Sequence, residues 1–359
     1  MELQSLELMT IHNKLDSITL RITETADSTI WDDYLNNHDQ SNFYQLHKWK
    51  DINERNFGHD CFFIIAEDNK TVVGVFPLVF IKSKIFGKIL SSMPFVNFGG
   101  LCANSSEIAE LLLNKAKEIC QENAVDYLEI RTQYPISDNL PTNLHKISMT
   151  LALDKESENI WNAFKSKHRT NIRRVYKQNI TVKQGGIELL DTFYKLMSES
   201  WRGLGTPIYQ KKYFKDILET FPDQTKIFIT YKDNTPIATA FNGYYKGTVE
   251  GMWAGAIPEF KRLQPNYVLY WEMIKDACEN GCHHFHLGRS TSETGAETFK
   301  KKWNATAKQL YWQYILENSE TIPQLNVSNP KYQLAIKLWS KLPLKVTTTL
   351  GPIIARSIP

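Results

Sequence analysis

The sequence predicts an α/β (α+β) protein built from two copies of one unit, and three internal matches in the same order predict it. "STIWDDYLNNH" (28–38) resembles "ENIWNAFKSKH" (158–168), sharing an Ile-Trp pair and a closing histidine. "CFFIIAEDNKTVVGVF" (61–76) aligns without gaps on "KIFITYKDNTPIATAF" (226–241), and "KEICQENAVDYLEIR" (117–131) on "KDACENGCHHFHLGR" (275–289). A single match carries little weight, but a shared order of helix, hairpin, helix and strand marks a duplication. At 359 residues the chain also exceeds one ordinary core and suits two domains.

Taken in order, the first copy reads as helices near 28–37 and 43–55, then a hairpin whose Asp-Asn turn (68–69) lies between two apolar runs. A strand over Leu90–Phe98, a helix over 105–122 and an alternating strand Asp126–Arg131 complete it. The second copy opens with one long helix from Ser157 to Lys177. Its hairpin turns at Asp233-Asn234 and continues into a third strand over 247–256. Its last helix opens at Pro265 and closes before Gly281, with Tyr267, Tyr270, Trp271, Ile274 and Cys278 on one face. Between first helix and hairpin the second copy is longer, which places a helical insertion at 185–222. The expected organisation is an N-terminal tail 1–16, domains 17–153 and 154–320, and a C-terminal tail 321–359.

Composition is that of a soluble globular protein, 42% hydrophobic and 23% charged. With 42 basic against 39 acidic residues, anion binding must come from local clusters, and a general nucleic-acid coat is disfavoured. The five cysteines lack CxxC spacing, which fits a reducing compartment. The N-terminus has no signal-peptide character and no long apolar run occurs, so a cytoplasmic, non-spanning protein is expected. Motifs for covalent serine catalysis, nucleotide hydrolysis, dinucleotide binding and paired-Cys zinc sites are absent. Cys282, His284 and His286 match no common zinc spacing, and no metal is expected.

Three stretches carry candidate chemistry. In "IWNAFKSKHRTNIRRVYKQ" (160–178), Trp161, Phe164, His168, Ile172 and Val175 form an apolar stripe, while Lys165, Arg169, Arg173 and Lys177 stack at every fourth position. Such a stripe destabilises its own helix unless phosphates or acids answer it. In "SWRGLGTPIYQKKYF" (200–214), Gly205 and Thr206 form either a helix C-cap or a substrate-facing loop. In "HFHLGRSTSETGAETFKKKWNA" (284–305), Arg289 and Ser290 close a strand and Lys300 follows on a short helix. Phe299 and Trp303 share one face of that helix, so packing holds Lys300 while Lys301 and Lys302 point outward. A cation fixed there suits a phosphate or an oxyanion. Glu250, on the third strand of the second copy, is the best-placed general base.

These residues resemble the FemAB-like proteins, a branch of the tandem GNAT-fold acyl- and aminoacyltransferases also described as BioF2-like acetyltransferase domains. The likeness is densest at 167–182, 202–207 and 287–305, and the last is similar to the subgroup associated with exopolysaccharide and PEP-CTERM gene clusters. The resemblance implies two tandem GNAT-like domains, each a mixed, mostly antiparallel sheet flanked by helices. It implies an acyl- or aminoacyltransferase acting on an amine or hydroxyl of a cell-envelope or exopolysaccharide precursor, sugar-nucleotide or lipid-linked. By position, Arg169 and Arg173 would hold phosphate and Lys300 would stabilise charge. The helical hairpin that some bridge-forming relatives use near tRNA is missing, and "PEFKRLQPN" (258–266) lacks the glycines of a coenzyme A pyrophosphate loop. Lys261 and Arg262 beside a helix N-terminus offer a substitute. Aminoacyl-tRNA and acyl-CoA both stay open as donors. The alternatives are a CoA-dependent N-acetyltransferase on a small or sugar amine, and a non-catalytic scaffold for an anionic glycan. The tail has five basic residues and no acid, which suits peripheral contact of 330–359 with the inner face of a membrane, or packing across the two domains.

Overall fold

The computed structural model describes residues 17–84, 86–292, 294–317, 321–322 and 330–358, so the tail expected over 1–16 lies outside the described residues. Along the chain, β1 (Ile18–Ile22) leads to α1 (Ser28–Asn36), α2 (Trp49–Phe57), β2 (Asp60–Asp68), β3 (Thr71–Ser83) and β4 (Gly87–Ser91). β5 (Cys102–Ala103), α3 (Ser106–Glu122), β6 (Tyr127–Thr132), β7 (Thr142–Asn143) and β8 (Lys146–Ala152) follow. Next come α4 (Ser157–Ala163), α5 (Ser166–Tyr176), β9 (Ile180–Gly185), α6 (Leu190–Gly203), α7 (Lys211–Thr220), β10 (Thr225–Lys232), β11 (Thr235–Tyr245) and β12 (Thr248–Ala256). The last elements are α8 (Asn266–Glu279), β13 (His284–Thr291), α9 (Gly295–Lys301), β14 (Thr306–Gln309), β15 (Tyr311–Leu316), α10 (Pro330–Trp339) and α11 (Leu344–Ala355).

Local chemistry accounts for the main elements. The β2–β3 turn places Asn69 and Lys70 at φ 48° and 68°, as a two-residue hairpin turn requires, and the β10–β11 turn uses Asp233 at φ 53°. Helix α3 starts where Ser105 accepts a hydrogen bond from the Ile108 amide, and it buries Ile108, Leu112, Ala116 and Ile119 along one face. Pro265 caps α8, and Gly281 beyond its end takes φ +68°.

The chain forms two compact units, one up to Leu144 plus the stretch beginning at Leu310, the other His145–Gln309 plus the C-terminal helices. In unit 1 the strand order is β1-β2-β3-β4-β6-β15-β7, with β5 pairing β3; in unit 2 it is β9-β10-β11-β12-β13-β8-β14. Four antiparallel strands lead in each to one parallel pair, β4·β6 or β12·β13, and the next strand is antiparallel again. The two sheets are therefore copies. Unit 1 buries Ile64, Phe76, Leu112 and Leu128 in its core, and unit 2 Met149, Phe228, Ile274 and Phe285.

Several expectations change. β8 hydrogen-bonds to β13 and β14 in unit 2, and β15 to β6 and β7 in unit 1, so each sheet is completed by a strand from the far side of the boundary drawn at 153. Residues 330–358 are helical and belong to unit 2 rather than forming a separate tail. The first internal match is displaced, because α1 follows β1 whereas α4 and α5 precede β9. The true counterparts of α1 and α2 are α6 and α7, in connections of almost the same length, residues 23–59 and 186–224. The stretch expected as an insertion at 185–222 is that shared connection, and the extra element is α4–α5. The long helix of 157–177 is broken between Ala163 and Ser166, with Phe164 and Lys165 at ψ 145° and 139°. The strand expected over Leu90–Phe98 ends at Ser91 and passes into a buried loop.

In unit 1 the arginine that ends the repeated strand is spent on the core. Arg131, 1% exposed, donates to Glu129 at 2.6 Å and lies 4.3 Å over the Trp312 ring, while the Tyr314 hydroxyl donates to the other Glu129 oxygen at 2.9 Å. A buried pair broken on one side leaves an uncompensated charge. Glu129→Gln is expected to destabilise the protein by about 3–5 kcal/mol in urea denaturation; a change under ~1 kcal/mol would show that water or another acid already serves Arg131.

Candidate functional site

The site forms where β12 and β13 part. They pair in parallel over Thr248↔His284, Val249↔Phe285 and Glu250↔His286, and there the pairing ends. On β12, the register against β11 slips at Phe241/Asn242, leaving Met252 as the extra residue of a bulge. On β13, the register against β8 slips between His286 and Arg289, and Gly288 takes φ +79°. A Cβ at Gly288 would stand 2.8 Å from the Gly251 carbonyl oxygen, so close approach as well as conformation demands glycine.

Glu250 and His286 sit at the fork. The Glu250 carboxylate is 2% exposed, its Oε1 is 2.7 Å from His286 Nδ1, and its Oε2 is buried without a hydrogen-bond partner. An unsatisfied buried carboxylate oxygen is costly. The sequence singles out His286 only within a set that matches no common zinc spacing, and alternation alone does not show that β13 sets it opposite Glu250. Among the described residues no group of three or more His, Cys, Asp and Glu is arranged to hold a metal ion.

Lys300 lies on α9, 7% exposed, and packing does hold it as the helix pattern implies, with Phe299 and Trp303 set among Tyr267 and Tyr270. Its ammonium donates to the Gly288 carbonyl (2.7 Å), the Arg289 carbonyl (3.1 Å) and the Ser290 hydroxyl (3.1 Å). Three donors meet three acceptors. The geometry makes Lys300 a clasp on the kinked end of β13, a positioning residue rather than a free cation, and brings Lys300, Arg289 and Ser290 together. Burial first, and the Arg289 guanidinium second, push its pKa down to about 8.

The other sequence candidates are distributed differently. Arg169 donates to the Asn162 carbonyl at 3.0 Å, and Arg173 stacks over Trp161 at 5.1 Å. Lys165 stands at the start of α5 rather than within a continuous stripe. Lys261 and Arg262 are exposed on the 3-10 turn Pro258–Leu263 that leads to α8. Gly205, at φ +73°, closes α6 and faces α10, where a Cβ would meet Ile336 at 2.4 Å, and the Thr206 amide returns to the Trp201 carbonyl. That is the C-cap alternative, with helix packing as its cause.

Comparison with known proteins gives a consistent result. Residues 166–301 match the family model of the acetyltransferase (GNAT) domain. The fold is similar to the crystal structure of FemX, with TM-score 0.63 and 16% identity over 89% of this chain and 100% of that one. A tandem GNAT protein from the clavulanic acid biosynthesis pathway gives 0.55 and 8% over 85% and 100%; L-PGS from Bacillus licheniformis gives 0.50 and 12% over 82% and 97%. No curated protein matches the chain. The resemblance to FemAB-like tandem GNAT proteins and the fold class drawn from the sequence are both borne out.

Lys300 gives a testable consequence. Lowering its pKa from 10.5 to about 8 means that between those values the unfolded chain binds the extra proton, so this group's contribution to stability rises with pH across that window. Relative to Lys300→Met, the wild type should gain up to about 3 kcal/mol between pH 8 and 10.5 in denaturation experiments. A difference that stays flat would place Lys300 in an ordinary aqueous setting.

Proposed function

We propose that the protein is an acyl- or aminoacyltransferase in which unit 2 carries the chemistry and Glu250 is the general base. The observation that carries this reading is the partnerless Glu250 Oε2 at the fork of β12 and β13. Transfer requires an acceptor amine or hydroxyl to attack the carbonyl of an activated ester, forming a bond to carbon as the acceptor proton leaves. Glu250 Oε2 takes that proton, and His286 holds the carboxylate through Oε1. Collapse of the tetrahedral intermediate expels the donor's thiolate or ribose oxygen. Lys300, by holding the carbonyls of Gly288 and Arg289, fixes the backbone of β13 beside Glu250. Lys261, Arg262 and the first turn of α8 suit the phosphates of an acyl-CoA or aminoacyl-tRNA donor. The acceptor class is an amine or hydroxyl of a cell-envelope or exopolysaccharide precursor.

The test offers the purified protein acetyl-CoA or aminoacyl-tRNA together with amino-sugar acceptors and follows acyl transfer. Glu250→Gln should slow transfer by about 10²–10⁴-fold with the fold intact by circular dichroism. Unchanged turnover would remove Glu250 from the chemistry, and no transfer by the wild type from either donor would favour the scaffold reading.

A lipid-linked acceptor is favoured by the C-terminal helices. Helix α11 buries Thr347, Gly351 and Ala355, with Gly351 pressed so closely on Ile208 that a Cβ would stand 3.0 Å from its backbone. Its larger apolar residues Val346, Leu350 and Ile353 face outward, Ile353 63% exposed, and Leu334 and Leu338 do the same on α10. That inverts the usual surface helix. Exposed Lys337, Lys341, Lys345 and Arg356 accompany them, and residues 321–359 contain no acid, which complements an anionic bilayer surface. No helix among the described residues is long and apolar enough to cross a membrane. The protein should float with vesicles containing phosphatidylglycerol and not with pure phosphatidylcholine, and Leu350→Asp with Ile353→Asp should abolish flotation. Concentration-dependent dimerisation lost in the same variant, without flotation of the wild type, would assign the face to a second copy instead.

A further inference from the structure

The charge of the chain is divided between the two copies. Unit 2 carries 30 basic and 17 acidic residues, a net +13, and unit 1 carries 12 and 22, a net −10, so the +3 of the whole chain conceals a strongly positive body and a negative one. Such a field draws unit 2 to an anionic surface and repels unit 1 from it. Attraction becomes docking where an apolar edge accompanies the charge.

That edge lies on the positive unit. Of the ten large apolar side chains that stand exposed among the described residues, five belong to α10 and α11. The most exposed of the ten, at 68%, is Leu204, in the turn on which α10 sits. The turn is fixed: the Leu204 amide returns to the Ser200 and Trp201 carbonyls at 3.2 and 3.1 Å, the Gly205 amide to Arg202 at 2.9 Å and the Thr206 amide to Trp201 at 2.9 Å. Gly205 is pressed against Ile336 of α10, and the Arg202 guanidinium donates to the Leu342 carbonyl between α10 and α11 at 3.4 Å. A backbone held in this way keeps Leu204 outward beside α10. Half-buried Trp201 and Tyr209 flank it in the chain with their rings 5.4 Å apart, and amphipathic rings of this kind favour a membrane–water interface. In the other direction Gly203 abuts Pro258, where a Cβ would lie 3.5 Å from Pro258 Cγ. Pro258 opens the turn that carries Lys261 and Arg262, so one short loop touches both the C-terminal helices and the residues suited to the donor phosphates.

We infer that Leu204 and its turn enter an anionic bilayer together with α10 and α11, as one docking edge of unit 2, and that this edge sets the donor-binding turn at the bilayer surface. The inference rests on the bilayer reading of the C-terminal helices and extends it to the body that carries Glu250. Anionic lipid complements the edge, since residues 321–359 contain no acid and the whole unit is positive. A two-fold pairing of this face with itself would set like charges against each other.

Site-specific labelling tests it on the full chain. All five native cysteines are buried, so Leu204→Cys can carry an environment-sensitive dye, with Ile353→Cys as the reference on α11 and Gln121→Cys, exposed on α3, as the control in unit 1. On addition of vesicles containing phosphatidylglycerol, emission from positions 204 and 353 should shift to the blue and become protected from an aqueous quencher, and emission from 121 should not. Leu204→Gln should weaken partitioning to the same vesicles by about tenfold or more, with circular dichroism unchanged. A shift at 353 with none at 204, or full binding by Leu204→Gln, overturns the inference and leaves the C-terminal helices as the whole contact; a shift at 121 as well overturns it as non-specific adsorption. No shift at 204 or 353 overturns it together with the bilayer reading, and none of these outcomes bears on the role of Glu250.

Discussion

The parting of β12 and β13 is the constraint on which the rest of the site depends. Parallel strands ordinarily continue with evenly spaced hydrogen bonds, and both strands here leave that register at the same level, through the Met252 bulge and the positive φ of Gly288. Carbonyls that no strand covers must be satisfied otherwise. Lys300 does this from α9, anchored by Phe299 and Trp303 in the aromatic cluster, so a packing decision in one short helix sets the backbone at the site. The cost of burying an ammonium is offset by the bonds it completes. Glu250, at the last paired position, is left with one oxygen bonded and one not.

Unit 1 resolves the same problem in the opposite way. Its parallel pair also ends at the third position, Ser91↔Glu129. A buried loop then enters the fork, with the Ser92 amide donating to the Glu129 carbonyl at 2.9 Å and the Gly99 amide to the Arg131 carbonyl at 3.0 Å. The Ser92 hydroxyl accepts from the Arg131 amide, and Glu129 neutralises the arginine. One fork is filled with backbone and the other is clasped by a lysine, although the frames are copies.

Much of this was legible in the sequence, and the failures share a cause. Gapless matches recovered the hairpins and the helix-strand end of each copy because local pattern and spacing encode them. Lys300 was correctly read as the lysine held by packing, since i,i+4 aromatics define a helix face. Strand exchange was not legible: the alternation in β8 and β15 records which face is buried and nothing about which sheet supplies the neighbour. The first internal match failed because an Ile-Trp pair recurs in helices on different sides of the first strand, and it brought a false insertion with it. The break at Phe164 was hidden by a helical period that continues through it. The partner of Glu250 was hidden because strand register, a long-range quantity, decides it.

The distribution of unfavourable groups argues for where function lies. A sequence consistent at every level satisfies its caps, charges and buried polar atoms, and departures concentrate where something else is selected. In unit 1 the buried arginine, carboxylate and tyrosine satisfy one another. Unit 2 keeps a carboxylate oxygen without a donor, an ammonium in a nearly dry setting, lysines at the positive end of an uncapped helix, and a buried imidazole bonded to nothing. Shared ancestry of the frame does not account for the difference between the two forks, where unit 1 gives both Glu129 oxygens a donor and unit 2 leaves Glu250 Oε2 without one.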